Sequence, residues 1–122
     1  QNWMKANPQA TTFEFPEGVT SIGAYAFSGC RGLQSIVIPE SVTSIGRFAF
    51  RDCIGLTSIE IPEGVTSIGG RTFRSCSALT SIKLTKGLES IEECAFWGCS
   101  SLSSIEIPEG VTSIKSSAFI KK

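Results

Sequence analysis

Leu33-Gln34-Ser35-Ile36-Val37-Ile38-Pro39-Glu40-Ser41-Val42-Thr43-Ser44-Ile45-Gly46-Arg47-Phe48-Ala49-Phe50-Arg51-Asp52-Cys53 decides the fold. The same skeleton returns 23 residues later as Leu56, Ile59, Ile61, Pro62, Val65, Ile68, Phe73 and Cys76. Moving outward from this stretch, its phenylalanine recurs as Phe27, Phe50, Phe73, Phe96 and Phe119, with no insertion or deletion between them. A fixed period of this length is the mark of a solenoid: each repeat is one coil that cannot bury its apolar face alone, and neighbours bury it by stacking. In such an array a residue shared by every coil packs the core. Specificity belongs to surface positions that change from coil to coil.

Seven apolar columns supply the core. They run through Val42, Ile45, Phe50, Cys53, Leu56, Ile59 and Ile61 and their equivalents one period away, with a proline column at Pro16, Pro39, Pro62 and Pro108 interrupted by Thr85. The N-terminal segment keeps the phase: Met4 falls in the phenylalanine column, Asn7 in the cysteine column, and Phe13 and Phe15 in the two isoleucine columns. Residues 1–15 therefore read as a degenerate half-repeat with the character of a cap. Residues 16–38, 39–61, 62–84 and 85–107 are full repeats, and 108–122 is a partial last one, all in a single domain. Lys122 sits in the cysteine column, so the last coil is open or continues in a longer parent.

Within a repeat, Leu33-x-x-Ile36-x-Ile38 alternates as a strand does, and Pro39 stops the ladder because it has no N–H to donate. A second short extended piece is expected at 19–22. A single helical or 3₁₀ turn is expected at 24–28. Gly18, Gly64, Gly87 and Gly110 stand where a tight turn would call for positive φ.

Composition agrees with a folded domain: 122 residues, 41% hydrophobic and 18% charged. Eleven basic residues balance eleven acidic ones, so no net charge draws the chain to nucleic acid or an anionic membrane, and a charged partner would need a local patch. No apolar run is long enough to span a bilayer, and residues 1–10 lack the pattern of a signal peptide.

The motif Leu-x-x-Ile-x-Ile-Pro-x-x-Val-x-x-Ile-Gly-x-x-Ala-Phe-x-x-Cys resembles the BspA-type leucine-rich repeat, the 23-residue class that includes Treponema pallidum-like proteins, over nearly the whole chain. The resemblance implies a right-handed coil stack with a parallel β-sheet on its concave face and short strands or helical turns on the other side. It further implies adhesion or protein binding at a cell surface or after secretion, with a protein (a host matrix or cell-surface protein) or a glycan as partner. It brings no catalytic residues, cofactor or metal to carry over. A structural spacer within a longer array is the alternative reading.

The residues support a non-enzymatic reading independently. The chain has no histidine, which removes Ser-His and Cys-His nucleophile pairs and the commonest metal ligand together. Cys30, Cys53, Cys76 and Cys99 form one column whose place between Phe and Leu fits small buried filler better than a disulfide or thiolate site. Cys94 belongs to a different column and is the candidate reactive thiol. Glu17, Glu40, Glu63 and Glu109 read as a solvated turn ridge rather than a calcium or acid–base site. The threonine ladder Thr20, Thr43, Thr66, Thr112 is broken by Glu89, which argues against a flat ice-binding face.

Variation concentrates around the phenylalanine column. Tyr25, Phe48 and Arg71 fall in one row; Arg51, Arg74 and Trp97 fall in another, with Arg47 beside them. Aromatic residues mixed with arginine are enriched where interfaces concentrate binding energy, so these seven are the candidate protein-binding patch; neutral drift on a tolerant outer face is the alternative reading. The same arginines could meet phosphate, but balanced charge and the lack of a nucleic-acid motif count against that use.

Overall fold

A computed structural model of the chain describes residues 10–120; Met4, Asn7 and Lys122 lie outside the described residues. Nine strands of two or three residues form two parallel ladders. The first contains β1 (Thr12–Phe13), β3 (Ser35–Ile36), β5 (Ser58–Glu60) and β7 (Ser81–Lys83). The second contains β2 (Ser21–Ile22), β4 (Ser44–Ile45), β6 (Ser67–Ile68), β8 (Ser90–Ile91) and β9 (Ser113–Ile114). Pairing register equals the sequence period: Ser21 faces Ser44, Ile22 faces Ile45, and Glu60 faces Lys83. Both expected extended segments are therefore present, and the leucine-rich-repeat coil stack is the fold. Strands β3 and β5 of the first ladder are short because the backbone turns after the second isoleucine of the coil, where Pro39 and Pro62 have no N–H to extend a ladder.

Neither ladder is continuous. β1 pairs with β3 and β5 with β7; β2 pairs with β4 and β6 with β8 and then β9. No strand pairing joins β3 to β5 or β4 to β6 among the described residues, although they lie alongside each other. The second and third coils are held instead by the core and by a third set of hydrogen bonds on the outer side. There Phe48 N donates to Gly70 O (3.1 Å), Phe50 N to Thr72 O (2.8 Å) and Asp52 N to Arg74 O (2.9 Å).

That outer segment is not the helical or 3₁₀ turn expected from the sequence. Its N–H groups alternate: Ala26, Ser28 and Cys30 donate within the coil to Gly23, Tyr25 and Phe27, while Tyr25, Phe27 and Gly29 donate to Arg47, Ala49 and Arg51 of the next coil. A helix would turn every N–H inward along its own chain. Here every second one reaches the neighbouring coil, which requires left-handed residues at intervals. They are Tyr25, Phe48, Arg71, Cys94 and Ser117 (φ 57 to 62), then Gly29, Asp52, Ser75 and Gly98 (φ 62 to 79).

The glycines after the prolines are explained differently from the expectation. Gly18 does have positive φ (85°), but Gly64, Gly87 and Gly110 do not. They are close approaches: a Cβ on Gly64 would lie 3.2 Å from the Val42 carbonyl oxygen, and one on Gly110 would lie 3.1 Å from that of Lys86. Ser41, which replaces glycine in this column, turns its hydroxyl to donate to the Val19 carbonyl at 2.5 Å.

Core packing follows the columns. Phe27, Phe50, Phe73, Phe96 and Phe119 stack face to face, with centroids 5.3 to 5.5 Å apart and planes within 7° of parallel. At the N-terminal end Phe13 meets Phe27 edge-on at 4.9 Å, so the last ring face is covered by a ring edge. Thr72 is buried where other coils have alanine; its hydroxyl donates to the Gly69 carbonyl at 2.6 Å, removing the cost of a stranded polar group. The thiols of Cys53, Cys76 and Cys99 each donate to a phenylalanine carbonyl of the preceding coil.

Candidate functional site

The alternating turn fixes how the variable residues are displayed. Because Tyr25 N donates to Arg47 O and Phe48 N to Gly70 O, successive coils stack their outer turns in register. Left-handed backbone at Tyr25, Phe48 and Arg71 then carries three successive side chains of one column onto the same face. The Tyr25 and Phe48 rings lie parallel, 4.7 Å between centroids and 8° between planes. Tyr25 is 43% exposed.

Arginines surround this pair. The guanidinium carbons of Arg47 and Arg51 each stand 5.5 Å from the Phe48 ring centroid and that of Arg71 stands 5.8 Å away; Arg51 also lies 6.0 Å from Tyr25. Each such contact is attractive because the ring face is electron-rich. Two carboxylates answer the charge. Asp52 Oδ2 is 3.4 Å from Arg51 Nε, and Glu93 Oε2 is 3.7 Å from an Arg71 terminal nitrogen. The Arg51 Nε is buried and makes no hydrogen bond among the described residues, so its approach to Asp52 is an attraction of charges without hydrogen-bond geometry. These groups are partly solvated, which keeps either pair in the range of about 0 to 1 kcal/mol.

All seven predicted patch residues thus share ring contacts, in two groups of five and two. Tyr25, Phe48, Arg47, Arg51 and Arg71 form one cluster. Arg74 lies over Trp97 at 4.4 Å as a separate pair. Arg51 and Arg74 occupy the same column in adjacent coils, each turned to its own aromatic partner.

Cys94 shares the left-handed column of Tyr25, Phe48 and Arg71 and is half-buried. Cys53, Cys76 and Cys99 are buried, and no disulfide joins the described cysteines. Their ionisation is suppressed. Cys99 is pushed up to about 11 by burial, burial raises Cys76 further, and the side-chain hydrogen bond with Cys30, then burial, raises Cys53. Among the described residues no three His, Cys, Asp or Glu side chains come together to hold a metal.

Three features escaped the sequence reading. Asp52 and Glu93 are part of the cluster; the signal for Glu93 was its place in the Arg47 column two coils on. The left-handed backbone gave no signal, since none of the five residues in its first column is glycine. Finally, the zero net charge conceals a separation. Around the strands and the turns that follow them stand Glu14, Glu17, Glu40, Glu60, Glu63, Glu106 and Glu109 against Lys83 and Lys86. On the outer turns stand Arg31, Arg47, Arg51, Arg71 and Arg74 against Asp52, Glu92 and Glu93.

The strand side is a shallow hollow of about 610 Å³ lined by Ser35, Ser58 and Ser81 with Glu60, Lys83 and Glu106. Val37 stands 82% exposed there. Lys83 pairs with Glu60 of the preceding coil at 3.5 Å, and no ion pair to Glu106 of the next coil forms among the described residues. Among the described residues no helix is long and apolar enough to cross a membrane.

The repeat matches the BspA type leucine rich repeat region in six copies across residues 4–122. The chain belongs to the BspA-type leucine-rich-repeat family. Solved structures agree with the assignment. A leucine rich cell surface protein from Faecalibacterium prausnitzii A2-165 is 39% identical with a TM-score of 0.88, the match covering 92% of this chain and 30% of that one. The leucine-rich-repeat protein of T. pallidum is 32% identical with a TM-score of 0.87, covering 92% and 55%. A leucine-rich-repeat protein from Bacteroides ovatus ATCC 8483 is 39% identical with a TM-score of 0.83, covering 87% and 27%. This BspA-type chain therefore spans between about a quarter and about half of the structures it matches. No curated protein matches it. Leucine-rich-repeat proteins of this kind generally mediate protein interaction.

Proposed function

We propose that this BspA-type repeat is a non-enzymatic protein-binding module of the adhesion kind, displayed at a cell surface or secreted, and that its outer turns carry the contact face. One observation carries the reading: the stacked Tyr25 and Phe48 rings surrounded by Arg47, Arg51 and Arg71, beside the Arg74–Trp97 pair. The backbone of these turns repeats from coil to coil while the side chains do not, so packing does not dictate them. Rings braced by guanidinium groups lose little conformational freedom when a partner arrives, which is what anchor residues of an interface require. A surface location is supported by the F. prausnitzii structure, which is of a leucine rich cell surface protein.

Capture from a set of extracellular-matrix and cell-surface proteins tests the proposal, with the chain compared to a variant carrying Tyr25, Phe48, Arg51, Arg74 and Trp97 as alanine. The variant is expected to keep its melting temperature within a few degrees and lose capture. Equal capture by both proteins removes the contact face from the outer turns and leaves the chain as a spacer or its strand side as the site.

A further inference from the structure

We infer that the segment seated on the outer-turn face is acidic: a stretch of partner protein whose side-chain carboxylates engage Arg47, Arg51 and Arg71 around Phe48. This rests on the contact-face reading above and adds the chemistry of what the face takes. Three guanidinium carbons stand within 5.8 Å of one ring centroid. The ring attracts each of them, yet three like charges gathered at that distance repel one another. Asp52 and Glu93 answer two of the three at 3.4 and 3.7 Å. Exposed Arg47 has no ion pair among the described residues. Counted by ion pairs, Arg47 is the guanidinium left unmatched, and guanidinium forks match carboxylate oxygens two at a time.

Shape and surroundings narrow the partner. A groove of about 330 Å³ beside the cluster is lined by Arg47, Phe48, Gly70 and Arg71 together with Glu92 and Glu93. Its lining offers a side chain the Phe48 ring together with the guanidinium groups of Arg47 and Arg71. A nucleic acid or anionic membrane presents many charges over a long or flat surface, and the Glu92–Glu93 rim opposes it. A short protein segment can place one or two carboxylates on the arginines and turn away from that rim.

Fluorescence anisotropy tests the inference, using the whole chain and a labelled dodecapeptide of aspartate and glutamate around a single leucine. The controls are the same peptide with asparagine and glutamine, and a twelve-nucleotide oligothymidine. Binding of the acidic peptide is expected, with Kd raised about tenfold by Arg47→Ala/Arg71→Ala and also raised by salt, as exchange of about 50 for 300 mM NaCl shortens the reach of charge. Glu60→Gln on the strand side should leave Kd unchanged, and thermal melts check that each variant folds.

Equal binding of the amide peptide, an unchanged Kd in the double variant, or oligothymidine binding as tight as the acidic peptide overturns the inference. If the acidic peptide does not bind while the five-residue alanine variant still loses partner capture, the contact face stands and only its acidic preference falls. If capture also persists, both fall.

Discussion

The Cys76 thiol donates to the backbone carbonyl of Phe50 across 3.1 Å, and that same oxygen accepts the Cys53 N–H from within its own coil at 3.2 Å. Both lone pairs of a buried carbonyl are thereby used, one by the coil that owns it and one by the next. The column needs a side chain small enough to sit between Phe and Leu that still carries a donor. Cysteine meets both conditions, and a metal or disulfide role is not needed to account for it.

Keeping these thiols neutral makes stability depend on pH in a direction fixed by the shifts. Cys99 is raised to about 11 and Cys76 and Cys53 higher, against an ordinary 9.0. The unfolded chain therefore loses its thiol protons first as pH rises. Stability is complete below about pH 9 and falls as pH climbs through the folded-state values, by up to about 1.4 kcal/mol per pH unit for each thiol. Urea unfolding at pH 8 and pH 10 measures the fall. Cys76→Ala/Cys99→Ala should reduce the difference between the two pH values; an identical difference in the variant would show that these two thiols do not set it.

Thiol labelling separates the two kinds of cysteine. Cys94 is half-buried on the outer turn, whereas Cys53, Cys76 and Cys99 are at most 2% exposed. In native buffer a chromogenic disulfide reagent should modify one thiol per chain, and that reaction should vanish in Cys94→Ser. The remaining thiols should react only as denaturant unfolds the solenoid. Rapid native labelling of the spine would contradict the burial that suppresses its ionisation.

The core was legible in the sequence for a physical reason: burial acts on every coil alike, so it writes the same residue at the same offset. Ile22, Ile45, Ile68 and Ile91 could be read as one buried column because each must fill the same space. The outer-turn backbone left no such trace. At Tyr25, Phe48, Arg71, Cys94 and Ser117 the left-handed conformation is imposed by N–H groups that reach the next coil, and the residues there are too varied to betray it. Gly64 and Gly87 misled in the opposite sense, because glycine answers both to positive φ and to close approach, and sequence does not distinguish the two. At the candidate face, adjacency of rows followed from the period, but the gathering of three arginines on one ring depended on side-chain directions that the period does not specify.

Ser75 offers a test of the left-handed turn. Its φ is 65°, while the equivalent positions Gly29 and Gly98 use glycine at 76° and 79°. A left-handed non-glycine residue costs about 1 to 2 kcal/mol, and glycine gives back about 0.5 to 1 kcal/mol in unfolded-state freedom. Ser75→Gly should therefore stabilise the chain by a few tenths to about 1 kcal/mol in urea unfolding. Gly98→Ala should destabilise it, since its Cβ would also come within 3.3 Å of the Ser75 hydroxyl. A destabilised Ser75→Gly would show that the serine side chain, and not the turn, sets the energy at this position.

The phenylalanine stack predicts a gradient along the solenoid. Phe73 is fully buried between Phe50 and Phe96, at 5.3 and 5.5 Å, whereas Phe119 is half-buried and stacks on Phe96 alone among the described residues. Replacing a buried phenylalanine by alanine removes its transfer energy and leaves a cavity, costing about 3 to 5 kcal/mol. Phe73→Ala should reach that range and, because each coil is held by its neighbours, should loosen both sides at once. Phe119→Ala loses one ring contact and less burial, so about half that cost is expected. Chemical denaturation of the two variants gives the ratio directly, and hydrogen exchange locates the damage. Phe73→Ala should raise exchange in the amides of Phe50 and Phe96, and Phe119→Ala in those of Phe96 and Gly98, which donate to Ala118 and Ile120. Equal costs for the two substitutions would mean that the stack behaves as one cooperative block, without the neighbour-by-neighbour coupling on which the gradient depends.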